Sequence, residues 1–312
     1  MSPFTNVYGA ARSLLAANTL LTLCLSPADS LFRPVGITVA DSNAATLAGR
    51  YGLFSLLNDR LELARFIAIV LLIIVASGFR PRLTGVLHWW VSWSFFFSMV
   101  TQDGGDQCAA VLTFLLLPVT FADPRAWHWA AAPEPRTRWQ LVHERIAASA
   151  LLMIRIQVAL LYLHAAVGKV AVKEWANGTA IYYWLLDTRM GVETRYHDLV
   201  LALLQPDWVA PFLTWAPMVL EFALFGALFM HARSRARPWL FWIALVFHMG
   251  NTVFFGLVSF MIAMSGALIL LLRPTDQPYA FGNLLEHCRA LLRRLPVATA
   301  RTPSERATEA SV

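Results

Sequence analysis

The chain has 312 residues, of which 58% are hydrophobic and only 14% are charged, and its mean hydropathy of +0.56 is too high for a soluble domain of this length. The formal net charge of +6 could suggest a nucleic-acid partner, but the Lys and Arg residues fall in short clusters between apolar runs, as topology signals do. The composition therefore predicts a polytopic membrane protein and excludes a phosphate-binding face for DNA or RNA.

Eight apolar runs are candidates for crossing about 30 Å of hydrocarbon. They cover about 10–27, 62–79, 83–101, 106–121, 146–168, 208–230, 239–256 and 258–273. The first run is interpreted as a retained span, because no small-residue cleavage site follows it. The expected fold is all-α: a transmembrane bundle of about eight spans over residues 1–274, with interfacial helices on the outer side and a basic, partly disordered cytoplasmic tail over 275–312.

Arginine clusters predict the sidedness of the bundle, because basic loops are retained in the cytoplasm. Eight spans with both termini in the cytoplasm place all four basic regions on that side. These regions contain Arg80 and Arg82; Arg125, Arg136, Arg138 and Arg145; Arg233, Arg235 and Arg237; and Arg289, Arg293, Arg294, Arg301 and Arg306. The excursion over 170–207 then lies outside, where its aromatic and charged residues favour a lid of interfacial or re-entrant helices.

The turn TQDGGDQ, between the third and fourth runs, places Asp103, Asp106 and Gln107 at the outer mouth of the bundle. Its two glycines permit a backbone that a β-carbon would exclude. The turn is interpreted either as a tight loop between antiparallel helices or as part of a polar outer pocket.

The fifth run holds Arg155 near its middle and ends in His164 and Lys169, followed by Trp175. Ionisable groups at bilayer depth are costly, so each requires a partner or a function. Lys169 either anchors the helix by snorkelling to the interface or lies desolvated in an apolar pocket, where it can release its proton and act as a base.

The sixth run contains Glu221 at about the depth expected for Arg155. Two opposite charges at similar depth are most economically paired, because a lone buried charge is uncompensated. The sequence therefore predicts a structural ion pair between Arg155 and Glu221.

The seventh run carries His248, Asn251 and Thr252 at spacings that put all three on one helical face. A polar face on an apolar helix is expected to point into the bundle. His248 is either a satisfied packing residue or a catalytic group.

No metal site is expected, because Cys24, Cys108 and Cys288 are far apart in the chain and no H-x-x-x-H, H-E-x-x-H or C-x-x-C-H motif occurs. Nucleophile elbows and phosphate-binding glycine loops are also absent from the sequence. A secondary transporter stays open, since buried charges and Gly-broken helices mark such sites, although no internal repeat of spans is evident.

Tyr162, Lys169, Trp175 and Gly178, preceded by Arg155, resemble the hallmark segment of the HTTM (horizontally transferred transmembrane) domain, which is the membrane domain of vitamin K-dependent γ-glutamyl carboxylases. The stretches VYGAARSLLA, SGFRPRLTGVLHWWVSWS and DGGDQ are similar, more narrowly, to the sporulation-delaying protein B family of small bacterial HTTM proteins found with secreted peptide toxins. The resemblance extends over nearly the whole chain up to about Pro274.

The resemblance implies roles for two residues. In the carboxylases the lysine of this segment is the base that deprotonates vitamin K hydroquinone, and Lys169 falls at the matching place. Phe247 and His248 match a Phe-His pair before a polar face of those enzymes. An Asn-Asn-His of the carboxylases is replaced here by Gly105, Asp106 and Gln107, and their large lumenal β-rich domain is missing from this sequence, so the same fold need not carry the same reaction.

The leading hypothesis is an integral protein of the bacterial cytoplasmic membrane that matures or exports a secreted antimicrobial peptide at an outward-facing polar pocket. Its expected partners are the peptide precursor, an accessory maturation protein and the lipid bilayer. The alternatives are a carboxylase-type or oxidoreductase enzyme that uses a reduced quinone with Lys169 as base, and a transporter or immunity protein without chemistry. The expected catalytic residues are Lys169, His248 and Asp106, and the expected substrate-binding residues are Asp103, Gln107, His164, Trp175, Asn251 and Thr252.

Overall fold

The computed structural model describes residues 2–32, 47–131, 133–134 and 137–280. Within these ranges the regular structure is helical, apart from one antiparallel bridge between Phe79 and Trp127. The predicted all-α class is therefore confirmed. One compact unit covers Met1–Gln277, and the tail predicted over 275–312 falls almost entirely outside the described residues.

Eight long helices coincide with the eight predicted apolar runs. They are α1 (Asn6–Leu25), α2 (Leu61–Ser77), α3 (Pro81–Ser98), α4 (Gly104–Ala122, with a break at Leu116), α5 (Arg138–Val170), α6 (Val209–Gly226, extended by the 3-10 turn Ala227–Phe229), α7 (Ala236–Phe255) and α8 (Val258–Leu272). Shorter helices cover Ala28–Phe32, Leu47–Tyr51, Leu53–Leu56, Lys173–Ala176, Ala180–Leu186 and His197–Leu204.

Four of the described helices are long and apolar enough to cross a membrane by themselves, namely α4, α5, α6 with its 3-10 turn, and α7. Helices α2 and α8 are apolar but have only 17 and 15 residues. Helices α1 and α3 carry buried polar side chains, such as Arg12, Asn18 and His88, which lower their hydropathy. The count of eight spans, their sidedness and the interfacial position of the short helices between α5 and α6 therefore stay predictions.

Local sequence explains where several helices begin and end. Thr137 and Gln140 form a capping box, so α5 starts well before the apolar run that predicted it. Helix α3 begins with Pro81, whose fixed φ suits a first helical position. Helices α2 and α7 end at Gly78 (φ 89°) and Gly256 (φ 70°), in the left-handed region that glycine enters without steric cost.

Helix α8 lies at the centre of the bundle. Helices α1, α4, α5 and α7 all pack against it, and its last ten residues are buried. A second apolar core joins α1, α2 and α3 with the short helices Ala28–Phe32 and Leu53–Leu56, where Phe32, Phe54 and Phe95 form a ring cluster. These two cores fix the helices that carry the polar sites described below.

A buried polar cluster lies where the start of α1 meets the loops after α2 and α4. Arg12 is fully buried, and its guanidinium donates to the Thr84 hydroxyl at 2.6 Å and lies 3.4 Å from Nδ1 of His128. Asp123 accepts from the Tyr8 hydroxyl and from two nitrogens of Arg125, at 2.8 and 2.9 Å. The cluster thus contains two arginines and one carboxylate. Asp123 pairs with Arg125, whereas Arg12 donates to the Val75 carbonyl and the Thr84 hydroxyl.

His128 of this cluster lies outside the helices, between α4 and α5. Burial, followed by the positive charges of Arg12 and Arg125, lowers the pKa of its imidazole to about 3. Its ring packs so closely against Gly9 and Gly78 that a β-carbon at either glycine would overlap it. His128 is therefore a neutral packing and hydrogen-bonding group at neutral pH.

Candidate functional site

The centre of the candidate site is an ion pair between Lys169, in the last turn of α5, and Glu221 of α6. Nζ of Lys169 lies 2.6 and 2.8 Å from the two carboxylate oxygens and also donates to the carbonyl of Ala165 at 3.3 Å. The two side chains retain only 22% and 6% of their exposure. The lysine ammonium also lies 5.3 Å from the ring centre of Trp175, a cation–π distance.

This pair corrects the predicted one, because Glu221 is bonded to Lys169 and not to Arg155. The Arg155 guanidinium instead donates to the carbonyls of Leu270 and Arg273 at the end of α8, at 3.4 and 3.2 Å. Arg155 and Lys169 are 14 residues apart on one helix, which corresponds to about 21 Å, so a single carboxylate cannot meet both. Arg155 lies near the middle of α5 and compensates carbonyls at the end of α8.

A second polar pair lies beside the first. The hydroxyl of Tyr162, on α5, is 3.1 Å from Nε2 of His248, on α7, and both side chains are buried. The other ring nitrogen of His248 has no hydrogen-bond partner among the described residues. An imidazole with one free nitrogen can still accept or donate a proton.

Both pairs border one apolar cavity of about 360 Å³ between α5, α6, α7 and α8. Pro217 of α6 also lines it; since proline has no N–H, the helix lacks one backbone hydrogen bond at this wall. The remaining lining is mostly apolar and aromatic: Leu161, Ala165, Trp175, Ile181, Trp184, Met190, Leu213, Phe247, Asn251, Phe255, Leu257, Phe260 and Met264. The site can thus bury an apolar group beside a lysine–carboxylate pair and a tyrosine–histidine pair.

The structure brings four of the predicted catalytic and substrate-binding residues to this cavity, together with Glu221: Lys169, Trp175, His248 and Asn251. Thr252 shares the helical face, but its hydroxyl bonds to the carbonyls of His248 and Leu257, both at 3.2 Å. These two hydrogen bonds stabilise the C-terminal end of α7.

The residues of the TQDGGDQ turn do not line the cavity, which corrects their expected place in the same pocket. Asp103 caps α4 by accepting from the backbone N–H of Gly105, and it also accepts from the hydroxyl of Ser259 at 2.8 Å. Asp106 is buried against α1, where it accepts from the amide of Asn18 at 2.9 Å. The backbone of α4 at Gly105 packs directly against the backbone of α8 at Phe260, where a β-carbon would not fit. The next residue, Asp106, points towards α1 and not towards α7.

Gln107 and His164 line a different cavity, also of about 360 Å³, on another face of α5. Of the predicted substrate-binding residues, Trp175 and Asn251 therefore line the Lys169 cavity and Gln107 and His164 line the other one. Asp103 and Thr252 line neither cavity.

Glu221 and Tyr162 stand out in the sequence, but their partners do not. Each partner lies on another helix, and the sequence does not give the displacement of one helix along the other. Sequence reasoning missed the cluster of Tyr8, Arg12, Asp123 and His128 altogether. One signal was present: Arg12 is the one charged residue within the 20 residues of α1.

Comparisons with known proteins agree on one family. The sequence profile of the HTTM domain matches residues 49–275. The chain is 39% identical over 287 residues to the uncharacterised protein YitO of Bacillus subtilis, covering 90% of this chain and 89% of YitO. It is 34% identical over 281 residues to sporulation-delaying protein SdpB of the same organism, covering 88% and 84%. No solved structure matches the chain.

Proposed function

Because this chain belongs to the HTTM domain family, and is similar to sporulation-delaying protein SdpB over most of its length, we propose that it is an integral membrane protein that matures or exports a secreted peptide toxin. The proposed working site is the cavity beside Lys169, on the outer side of a bacterial cytoplasmic membrane. The partners are the peptide precursor and an accessory maturation protein.

The observation that supports this proposal most is the Lys169–Glu221 pair in the wall of an apolar cavity. A lysine that only anchors a helix extends to the interface, whereas Lys169 turns inward to a carboxylate that is 6% exposed. The amine and the carboxylate, 2.6 Å apart, are a proton donor and a proton acceptor in direct contact at the cavity wall. Tyr162 and His248, at 3.1 Å from each other, supply a second proton-carrying pair at the same cavity.

The test is a comparison of Lys169→Arg with Lys169→Ala. Arginine keeps the charge and can bond the Glu221 carboxylate with two nitrogens, so the helix contact survives, but a guanidinium does not release its proton in the usable pH range. We expect loss of secreted peptide activity in both variants, with normal expression and membrane insertion of the arginine variant. Lys173→Arg, at an exposed lysine four residues later, is the matched control and should stay active.

Mass spectrometry of the secreted peptide, with and without this protein, identifies the kind of maturation. A changed cleavage site, a disulfide or an added carboxyl group each has its own mass. An active Lys169→Arg variant with an unchanged peptide mass would leave transport or immunity as the better function.

A carboxylase-type or oxidoreductase activity is the second candidate, and the cavity itself favours it. Its size of about 360 Å³ and its apolar wall fit a reduced quinone ring, and the residues that would hold the ring oxygens are Lys169 and His248. A quinol bound there would supply reducing equivalents. The chain's own contribution is to exclude water and to hold a proton at Nζ of Lys169 or on the Glu221 carboxylate.

A further inference from the structure

A second concave surface lies across α3, α4 and α5, on another face of α5. Two cavities of about 360 and 440 Å³ share Gln107, Val111 and Gln157 in their walls, so they form one continuous groove. We call it the α3–α4–α5 groove. It is distinct from the Lys169 cavity, with which it shares only Leu161 among the lining residues.

One wall of the groove is aromatic. Trp89, Trp93 and Phe97 recur at spacings of four along α3 and form neighbouring ring contacts, with centroids 5.8 and 6.0 Å apart. Phe114 of α4 continues the row at 5.5 Å from Trp89. Rings in tilted and edge-to-face contact of this kind give a stiff apolar wall. Within the described residues, no Asp, Glu, Lys or Arg lines either cavity.

Three polar side chains interrupt this apolar surface: Gln107, Gln157 and His164. None of them has a side-chain hydrogen bond to any residue that the structure describes. Gln157 lies at the centre of the apolar run of α5, about twelve residues and so about 18 Å from Lys169. Gln157 is partly buried, whereas Gln107 and His164 are exposed. An amide without a partner at the depth of Gln157 costs free energy of a few kcal/mol, so this side chain calls for a ligand that hydrogen-bonds.

The hydrocarbon chains of lipids have no hydrogen-bond donors or acceptors, so they cannot be this ligand. A membrane-inserted helix can, because its backbone is satisfied internally while its polar side chains still seek partners. A second copy of this chain fits poorly, since a two-fold contact would set two concave surfaces against each other and leave a void between them. The lack of charged lining residues favours an uncharged segment.

We propose that the α3–α4–α5 groove binds an uncharged helical segment of the peptide substrate inside the membrane, with Gln107 and Gln157 hydrogen-bonding to its polar side chains. The identity of that segment as substrate rests on the proposed function. Leu161 borders both the groove and the Lys169 cavity, so a helix in the groove lies one helix away from the ion pair. The groove would thus deliver the peptide to the site along α5.

The test uses the full chain in phosphatidylethanolamine–phosphatidylglycerol vesicles with two synthetic peptides. Both are apolar Leu/Ala helices of about 22 residues with a central photoreactive residue; one has a neighbouring glutamine and the other has leucine there. We expect about five-fold more cross-linking of the glutamine peptide, the effect of one interhelical hydrogen bond in a membrane. The cross-links should map to Trp93 and Phe97.

Gln107→Leu/Gln157→Leu should abolish this preference, and Gln157→Leu alone should reduce it. Gln205→Leu, at an exposed glutamine beyond the helix His197–Leu204, is the control and should keep it. Equal cross-linking of the two peptides, cross-links only to lipid, or cross-links only between copies of the chain would each overturn the proposal. Lys169→Arg should bind the peptide normally, so failure of the groove and failure of the proposed chemistry are separate results.

Discussion

The Lys169–Glu221 pair predicts a characteristic pattern of stability changes. Lys169→Met would leave the Glu221 carboxylate without its charged partner at 6% exposure, and breaking a buried pair from one side costs about 3 to 5 kcal/mol. Glu221→Leu should cost less, about 1 to 2 kcal/mol, because the lysine is 22% exposed and keeps the carbonyl of Ala165 and the ring of Trp175.

The double variant Lys169→Met/Glu221→Leu replaces the pair by two apolar side chains in an apolar wall. Such replacements are often nearly neutral, so most of the loss should be recovered. The single losses sum to about 4 to 7 kcal/mol. If the double variant loses about 1 kcal/mol or less, the coupling free energy between the two positions is at least about 3 kcal/mol.

The assay is unfolding of the purified protein in mild detergent, followed by circular dichroism over a denaturant series. Lys173→Met is the control, because Lys173 is exposed and should change the free energy of unfolding by less than about 0.5 kcal/mol. If the two single losses simply add in the double variant, Lys169 and Glu221 do not interact and the site as described is wrong.

Four further predictions follow from other parts of the chain. Cysteine labels at Arg235 and at Asn177 should react from opposite sides of the membrane, and labelling of both from one side would refute the eight-span topology. Arg155→Met should lower the free energy of unfolding by about 1 to 3 kcal/mol, measured in the same unfolding assay, because two carbonyls at the end of α8 lose their donor. Gly78→Ala should be destabilised by more than 1 kcal/mol in that assay, since φ is +89° there and the new β-carbon would overlap the ring of His128; an unchanged midpoint would contradict this packing. Stability should fall by about 2 kcal/mol between pH 7.5 and pH 5, because the unfolded chain protonates His128 below its ordinary pKa of about 6.5 while the folded imidazole stays neutral down to about 3; the His128→Gln variant should show a smaller dependence.

Local patterns in the sequence determined the helices. Each apolar run became a helix, and α7 and α8 begin and end within about three residues of their predicted bounds. Length, apolarity and glycine stops act over neighbouring residues, so they can be read without the fold. The start of α5 differs because the capping box at Thr137 lies in a polar stretch that hydropathy does not register.

The sequence also identified Lys169, Trp175, His248 and Asn251. The first two belong to the segment that the HTTM resemblance marks, and the last two share one helical face. What it could not supply is the partner of each charge. Arg155 and Glu221 lie at the middle of their apolar runs and therefore seemed equally deep, yet α5 is 33 residues long and brings its last turn, with Lys169, to the level of Glu221.

The tertiary structure alone decided which faces of α4 and α5 meet which neighbours. Asp106 turns to Asn18 of α1, and His164 lies on the groove side of α5 while Lys169 lies on the cavity side. Successive residues of a helix are rotated by about 100°, so His164 and Lys169 point in different directions. Packing against α8 fixes the orientation of each helix about its own axis, and therefore which neighbour each residue meets. Helix formation is local and was predictable, whereas the relative shift and rotation of helices depend on contacts between residues that are far apart in the chain.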